Sequence, residues 1–398
     1  MPASPSTARA INDRLALRLL QEEGPLTAGQ LKQLTGLSRP TVADLVERLT
    51  AAGLVAVVGE SGRQRRGPNA RLYGIVADRA QLAALDVRTE GVTVVVSDLL
   101  GTELTRASVP IADGTGTGLA VERAVVLVEH AAKEAGADRL HTVGIGAPGL
   151  IDPAGGELRD SSGLPAWHRR LVAALGECLQ ARVLVENETN LAALAERRDG
   201  AARDRDTFVL LWLGMGTGAA VVLDGRLRRG ASGGTGEIGF LPVPGTGALP
   251  SATDCAGGFH ALVADEAVAR LAGEHGLTAP RTATGPYAAA LVGAAVDGAA
   301  SGAGAATRFL DALADRVAIG TASVVAVLDP GCVVLGGEIG QAGGALLAAR
   351  VEERLARLSP LSTEVRASGL GGGAVLRGAL LMARDAAQDE LFGAPSRR

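Results

Sequence analysis

Two glycine-punctuated hairpins of apolar residues constrain the fold of this chain more than any other feature. The first, "LAALDVRTEGVTVVVSDLLGTEL", follows Gln81, and the second, "TFVLLWLGMGTGAAVVLDGRLRRG", begins at Thr207. Each is followed by alternating helical and strand-like runs, which are typical of α/β units. Because 398 residues are enough for two or three domains, the repetition predicts two related α/β lobes with a cleft between them.

Residues 1–78 have the pattern of a winged helix-turn-helix domain. Apolar residues recur at helical spacing in three successive segments, and two apolar strands separated by a polar loop follow them. Thr27 and Ser38 are placed to cap the second and third helices, with Pro40 in the first turn of the third. Leu31 and Leu34 are expected to face the domain core.

The third helix and the wing carry the residues that we expect to contact DNA. The N-terminal residues of a recognition helix meet base edges in the major groove, and a basic wing contacts phosphates or enters the minor groove. The candidates are Ser38, Arg39 and Thr41 on the helix, and Arg63, Gln64, Arg65, Arg66 and Arg71 in or beside the wing loop. The alternative is a solvated hairpin on a small helical domain.

The distribution of charge favours DNA binding. Ten Lys and Arg stand against six Asp and Glu up to Val76, whereas the remainder has 29 against 37. A basic module on an acidic body is common in proteins that join a DNA-binding domain to a second function. We therefore expect double-stranded DNA as a partner.

Other bulk features indicate a cytoplasmic protein. The three cysteines (Cys178, Cys255 and Cys332) are far apart, which suits a reducing compartment. The N-terminus has no apolar stretch typical of a signal peptide. The apolar run "VAIGTASVVAVL" has twelve residues, and a membrane-spanning helix needs about 20. We expect no membrane contact.

The stretch "VENETN", residues 185–190, lies where a buried strand ends and a helix begins. Ligand-binding groups in α/β folds are placed at such strand ends. An amide beside a carboxylate can bind neighbouring hydroxyls directionally, which makes Asn187 and Glu188 candidate sugar contacts. Alternatively, Glu188 is a general base, or the pair only precedes a helix that Thr189 or Asn190 caps.

These residues together resemble the ROK family (repressors, open reading frames and sugar kinases). The resemblance covers roughly residues 10–390 and rests on "GLSRPTVADLVERLTAAGLV", "GIGAPGLID", "VENETNLAALAE", "GEIGF", "LDPGCVVLGGEIG" and "GGGAVLRGALL" in this order. It implies an actin/hexokinase-like pair of lobes, here residues 79–197 and 198–398, with the last helix packing back on the first lobe. The winged helix in front resembles the repressor branch.

Two departures from the family pattern predict that the chain is not a kinase. The family phosphate loop is D-x-G-x-T, and Arg88 stands in place of its glycine, where a side chain obstructs close approach of a phosphate. The catalytic aspartate of the kinases corresponds to Glu188, which is one methylene longer. Asp86 and residues 336–337 are then relics of nucleotide chemistry, and we expect no ATP binding.

The resemblance also predicts that the family's structural zinc is absent. The family site uses a histidine, where this chain has Phe240, and three cysteines, of which only Cys255 is present. One thiol cannot build the tetrahedral site that structural zinc prefers. The family glutamate after the cysteines falls on His260, which suggests a different sugar pocket.

The candidate effector-binding residues come from both lobes. Beside Asn187 and Glu188 they are Glu237, which matches a sugar-contacting acid of the family, and His260, whose alternative is a structural role. Trp167 either stacks on a sugar ring or plugs the lobe interface.

The predicted function is that of a sugar-responsive transcriptional regulator, most simply a repressor released from its operator by a saccharide. Half-site reading predicts a homo-oligomer, a dimer or a tetramer. The alternatives are an ATP-dependent sugar kinase with a DNA-binding head, and an activator with the same ligand logic.

Overall fold

The computed structural model describes residues 5–392 apart from 62–69, 113, 153–157, 159–165 and 281–284. The predicted wing contacts Arg63, Gln64, Arg65 and Arg66 lie outside the described residues. Along the chain, a three-stranded sheet with helices precedes two five-stranded sheets, each with helices of its own.

The N-terminal region is a winged helix-turn-helix. Its elements are α1 (Pro5–Glu22), β1 (Leu26–Thr27), α2 (Ala28–Thr35), α3 (Arg39–Ala51), β2 (Val55–Ser61) and β3 (Ala70–Ile75). The strands form an antiparallel sheet in the order β1-β3-β2. Thr27 and Gln30 form a capping box at the start of α2. The expectation for Leu34 is wrong: Leu31 supplies the buried contact of this short helix, and Leu34, in its last turn, is 48% exposed.

The N-terminal lobe is built on a mixed five-stranded sheet. Its elements are β4 (Gln81–Arg88), β5 (Gly91–Ser97), β6 (Glu103–Pro110), α4 (Thr117–Glu134), β7 (Leu140–Ala147), α5 (Ala166–Cys178), β8 (Arg182–Asn187) and α6 (Glu188–Asp199). The strand order is β6-β5-β4-β7-β8. The first three strands pair antiparallel, and β7 and β8 continue the sheet parallel to β4.

The C-terminal lobe repeats this arrangement. Its strands are β9 (Phe208–Leu213), β10 (Thr217–Leu223), β11 (Arg226–Arg228), β12 (Cys332–Gly336) and β13 (Glu364–Ala367), in the order β11-β10-β9-β12-β13. Its helices are α7 (His260–Val263), α8 (Asp265–Glu274), α9 (Tyr287–Ala300), α10 (Gly304–Leu328) and α11 (Gly337–Leu358). Because the sequence order and the strand directions match those of the first lobe, the prediction of two related α/β lobes is confirmed.

The last helix, α12 (Ala374–Phe392), lies on the N-terminal lobe although it follows the strands of the second. It contacts β4, β7 and α6. Glycine makes this approach possible, since a Cβ on Gly378 would stand 2.0 Å from the Leu191 carbonyl oxygen, and one on Gly144 would stand 2.3 Å from the Ala379 carbonyl oxygen. A side chain at either position would push α12 away from the sheet.

The buried carboxylate of Glu196 ties α6 to the C-terminal lobe. It accepts hydrogen bonds from the backbone N–H groups of Ala201 at 2.6 Å, Gly369 at 3.0 Å and Leu370 at 3.1 Å, and from the hydroxyl of Ser368. Helix α6, which begins within the "VENETN" stretch, is therefore bound at its other end to the C-terminal lobe.

Membrane insertion has no candidate helix in the part of the chain that the structure describes, because none is both long and apolar enough for a bilayer. The twelve-residue run singled out above lies in α10.

Candidate functional site

The start of α3 is an exposed, capped helix end. Ser38 Oγ accepts a hydrogen bond from the backbone N–H of Thr41 at 3.3 Å and lies 2.7 Å from the Thr41 hydroxyl oxygen. Arg39 is exposed, Thr41 is half-buried, and Arg71 is exposed on β3. The predicted contact residues of the helix therefore share one end of α3, with the exposed Arg39 beside the cap.

An ion-pair network fixes α3 against the rest of its domain. Arg48 pairs with Asp13 of α1 at 2.6 Å and with Asp44 of its own helix. The pairing neutralises a carboxylate on the recognition helix that would otherwise repel DNA phosphates.

Asn187 is the N-cap of α6. Its Oδ1 accepts hydrogen bonds from the N–H groups of Thr189 at 2.9 Å and Asn190 at 3.3 Å, and its Nδ2 donates to the Gly149 carbonyl at 3.0 Å. The alternative caps Thr189 and Asn190 thus donate to Asn187 rather than cap the helix themselves. One amide hydrogen of Asn187 stays available to a ligand, so this side chain mainly shapes the strand-to-helix corner.

Glu186 is a structural residue of the site that the sequence reasoning missed. It is buried, and its Oε1 accepts from the Asn187 N–H and from Asn190 Nδ2, both at 2.9 Å. Its Oε2 accepts from Arg229 Nε at 2.6 Å. Since Arg229 belongs to the C-terminal lobe, this ion pair connects the two lobes at the site. The sequence did place a carboxylate at the buried end of a strand, next to the candidate residues Asn187 and Glu188, and this could have indicated its role.

Four carboxyl groups around one arginine form what we call the acidic corner: Asp86, Glu90, Glu188 and Glu338 around Arg88. Arg88 Nε donates to Asp86 Oδ2 at 3.0 Å within β4, and Nη1 donates to Glu338 Oε1 at the start of α11. Arg88 therefore bridges the two lobes at the carboxyl ends of β4 and β12. A phosphate approaching this point would meet carboxylates and a guanidinium that is already paired.

The corner shifts the protonation of its members. Burial raises the pKa of Glu188 to about 8, with the carboxylates of Asp86, Glu338 and Glu90 adding to the effect and Arg88 opposing it. Burial also raises the pKa of Asp86. Although burial opposes its charge, the neighbouring carboxylates raise the pKa of Arg88.

The C-terminal wall carries Glu237, Phe240 and His260. Glu237 is exposed, and His260 is half-buried at the start of α7, where burial lowers its pKa. Burial, with Asp254 and Glu237 nearby, raises the pKa of the Cys255 thiol. Within the described residues, no group of three or more His, Cys, Asp or Glu is arranged to hold a metal ion.

Trp167 lies inside the N-terminal lobe. It is 4% exposed, packs in the apolar core under β4 and β7, and meets the ring of His168 edge-on with 4.2 Å between centroids. The structure therefore supports neither stacking on a sugar nor a plug between the lobes. The local sequence "GLPAWHRR" gave no sign of which way the Trp167 side chain would point.

The two lobes have the same strand order, and a winged helix precedes them. This combination defines an actin/hexokinase-like protein with an N-terminal domain of a DNA-binding class. A model of the ROK family matches residues 83–386, and a model of the MarR family matches residues 11–67. The chain belongs to the ROK family, and its N-terminal domain is a MarR-type winged helix.

Curated relatives of the chain include transcriptional regulators. It is 24% identical over 237 residues to the xylose repressor of Caldicellulosiruptor bescii, with 59% of each chain covered. It is 26% identical over 247 residues to the DNA-binding transcriptional dual regulator NagC of Escherichia coli, with 59% of this chain and 58% of that protein covered. The chain thus matches about three-fifths of the length of these relatives.

Solved structures of the same fold include both a regulator and a kinase. A ROK family transcriptional regulator, described as a homologue of the E. coli MLC protein, superposes with a TM-score of 0.76 at 21% identity and covers 97% of this chain and 98% of its own. The ROK hexokinase of Thermus thermophilus superposes with a TM-score of 0.61 at 29% identity, covering 78% of this chain and 99% of its own. The two lobes alone therefore do not separate a regulator from a kinase.

Proposed function

We propose that the protein is a cytoplasmic, sugar-responsive transcriptional regulator that binds operator DNA and is released from it by a saccharide. The observation that carries the proposal is the exposed, capped start of α3 in a winged helix joined to a ROK body. Relatives that are named as repressors or as a dual regulator support it.

The DNA-binding half of the proposal assigns residues to two kinds of contact. Ser38, Arg39 and Thr41 at the start of α3 would meet base edges and flanking phosphates in the major groove. The wing would bind phosphates or the minor groove through Arg63, Gln64, Arg65, Arg66 and Arg71. Because these contacts release counterions, affinity would fall steeply with salt.

The effector-binding half uses the corner between the lobes. Glu188 would bind a ligand hydroxyl or amine, Asn187 would hold the corner in shape, and Glu237 and His260 would bind from the opposite wall. Closure of the lobes would change the spacing of the winged helices in a homodimer or tetramer. This is allostery only if the ligand binds the two arrangements with different affinity.

The acidic corner supports a protein without kinase activity. Arg88 stands where the family's phosphate loop has a glycine, so its side chain would obstruct a phosphate, and Asp86, Glu90 and Glu338 would repel the phosphates of ATP. We therefore propose that the protein binds neither ATP nor, given the isolated Cys255, a structural zinc.

A gel shift tests the regulator proposal. The full chain is mixed with the DNA upstream of its own and neighbouring genes, with and without a panel of sugars and without ATP. Release by one sugar supports a repressor and identifies the inducer. An activator with the same ligand logic would bind DNA more tightly, or bend it, when the sugar is present. DNA binding that no sugar changes would contradict the effector half.

One observation favours a sugar kinase as the second candidate. The pKa of Glu188, about 8, is close to the range that suits a general base near neutral pH. The test is transfer of labelled phosphate from Mg-ATP to the same panel of sugars. A Glu188→Gln variant serves as the catalytic control. Turnover that this variant abolishes would replace the regulator proposal by a DNA-binding kinase.

A further inference from the structure

The acidic corner has more negative charge than its one arginine balances. Asp86, Glu338 and Glu90 all act on Glu188 in the direction that disfavours its charge, and Arg88 alone acts against them. The Arg88 guanidinium is itself divided between Asp86 and Glu338. When Glu188 is ionised, the corner is therefore short of positive charge even with every described partner in place.

An orphaned oxygen marks where that charge is missing. Asp86 is 6% exposed, and its Oδ2 is bonded to Arg88, but its Oδ1 has no hydrogen-bond partner among the described residues. Within those residues, nothing bonds to the Glu188 carboxyl group either. A buried carboxylate oxygen without a donor costs free energy in the folded state, so the corner is suited to an incoming N–H donor.

A histidine on α5 does not supply the missing charge. His168 lies near Glu90 and the backbone of Arg88, and its burial lowers its pKa, so the ring is neutral near neutral pH. A divalent metal would need several oxygen ligands in a fixed geometry, and the described residues offer no such group. An ammonium group needs only a few acceptors and donates three hydrogen bonds.

We propose that the effector is an amino sugar with a free, protonated amine, and that this amine binds Glu188 and Asp86 Oδ1. The proposal rests on the proposed function, since it names the ligand class of the same cleft. The ammonium group would replace the proton that Glu188 holds in the free protein near neutral pH. A neutral sugar would leave these oxygens without a cation. A sugar phosphate would add negative charge to a corner that already has an excess.

Sugars that differ only in the group at one ring carbon, a charged amine or a neutral group, test the proposal. Isothermal titration of the full chain at neutral pH compares D-glucosamine, N-acetyl-D-glucosamine and D-glucose, as monosaccharides and as matched disaccharides. Because a hydrogen bond to a charged group contributes about 1.5–3 kcal/mol, we expect the free amine to bind about 10- to 100-fold more tightly than either neutral sugar.

Two variants locate the preference. Glu188→Gln and Asp86→Asn keep the shape of each side chain, and each should lower the preference for the amine about tenfold. Glu122→Gln, on an exposed face of α4, makes the same exchange of a carboxyl group for an amide away from the corner and should leave the preference unchanged. Thermal melting of each variant shows whether it is folded. Because two variants are tested, the test remains valid if one of them does not fold.

The outcomes separate this inference from the proposed function. If a neutral sugar binds as tightly as glucosamine and releases the DNA, the inference is overturned and the regulator proposal stands. If both variants prefer the amine over the neutral sugars as strongly as the wild type does, the acidic corner is not its site. If no sugar binds or alters the gel shift, the effector half of the proposed function fails, and this inference fails with it.

Discussion

Replacing Glu188 by glutamine should make the protein more stable at alkaline pH while changing little at acidic pH. The pKa of this carboxyl group rises from 4.5 to about 8 on folding. Between these values the folded protein keeps a proton that the unfolded chain has lost. Stability therefore falls as the pH rises through this window, and above about pH 8 the folded state holds a charged carboxylate that burial disfavours. Glutamine, which resembles the protonated acid, removes this loss.

The size of the effect follows from the shift. At about 1.4 kcal/mol per pH unit, the change in pKa corresponds to at most about 5 kcal/mol. Because the side chain is partly exposed to the cleft and water screens its charge, we expect about 1–3 kcal/mol. For a body of this size that is a rise in Tm of roughly 2–6 °C at pH 8.5.

The assay is thermal melting of wild type, Glu188→Gln and the exposed control Glu122→Gln from pH 5 to pH 9. The Tm difference between wild type and Glu188→Gln should open as the pH rises, and that of the control should stay flat. Parallel curves for wild type and Glu188→Gln would refute the reasoning, because they would mean that the acidic corner does not shift the protonation of Glu188.

Three further predictions concern other parts of the chain. Arg39→Ala should weaken operator binding by about 1–3 kcal/mol and lower the salt dependence, as measured by gel shift at two salt concentrations; equal loss in Arg123→Ala, on the exposed side of α4, would argue against a specific contact. Ser38→Ala removes the cap of α3 and should cost about 1 kcal/mol of winged-helix stability, seen by chemical denaturation; no change would mean that the cap is dispensable. Glu196→Gln places an amide among four hydrogen-bond donors and should lower stability by about 2–3 kcal/mol, whereas an unchanged Tm would show that α6 is held by packing alone.

Features that depend on neighbours in sequence were predictable. The caps Thr27 and Ser38 act on residues three positions ahead, so the pattern of side chains already contained them. The two glycine-punctuated hairpins became the antiparallel halves of both sheets because alternation and turns are local properties. Leu34 is an exception among the helical positions, since it lies in the last turn of the short helix α2 and does not reach the core.

Features that depend on distant parts of the chain were not predictable from the same patterns. Arg88 and Glu338 are 250 positions apart, and only the juxtaposition of the two lobes makes them partners. In the sequence, Glu186 has no feature that distinguishes it from other strand residues, because its partner Arg229 comes from the other lobe. Trp167 could turn outward or inward with the same local sequence, and packing of the N-terminal lobe turned it inward.

The sequence by itself determined the order of domains, the identity of the helix starts and the family, because periodicity, caps and motif order are written in consecutive residues. From the family resemblance it also predicted that Arg88 and Glu188 stand where the kinases have a glycine and an aspartate. The tertiary structure alone decided which groups these two side chains meet. By bringing Asp86, Glu90, Glu188 and Glu338 around one arginine, with Asp86 buried, it turned separate charges into one corner, since electrostatic coupling depends on distance and burial rather than on position in the chain.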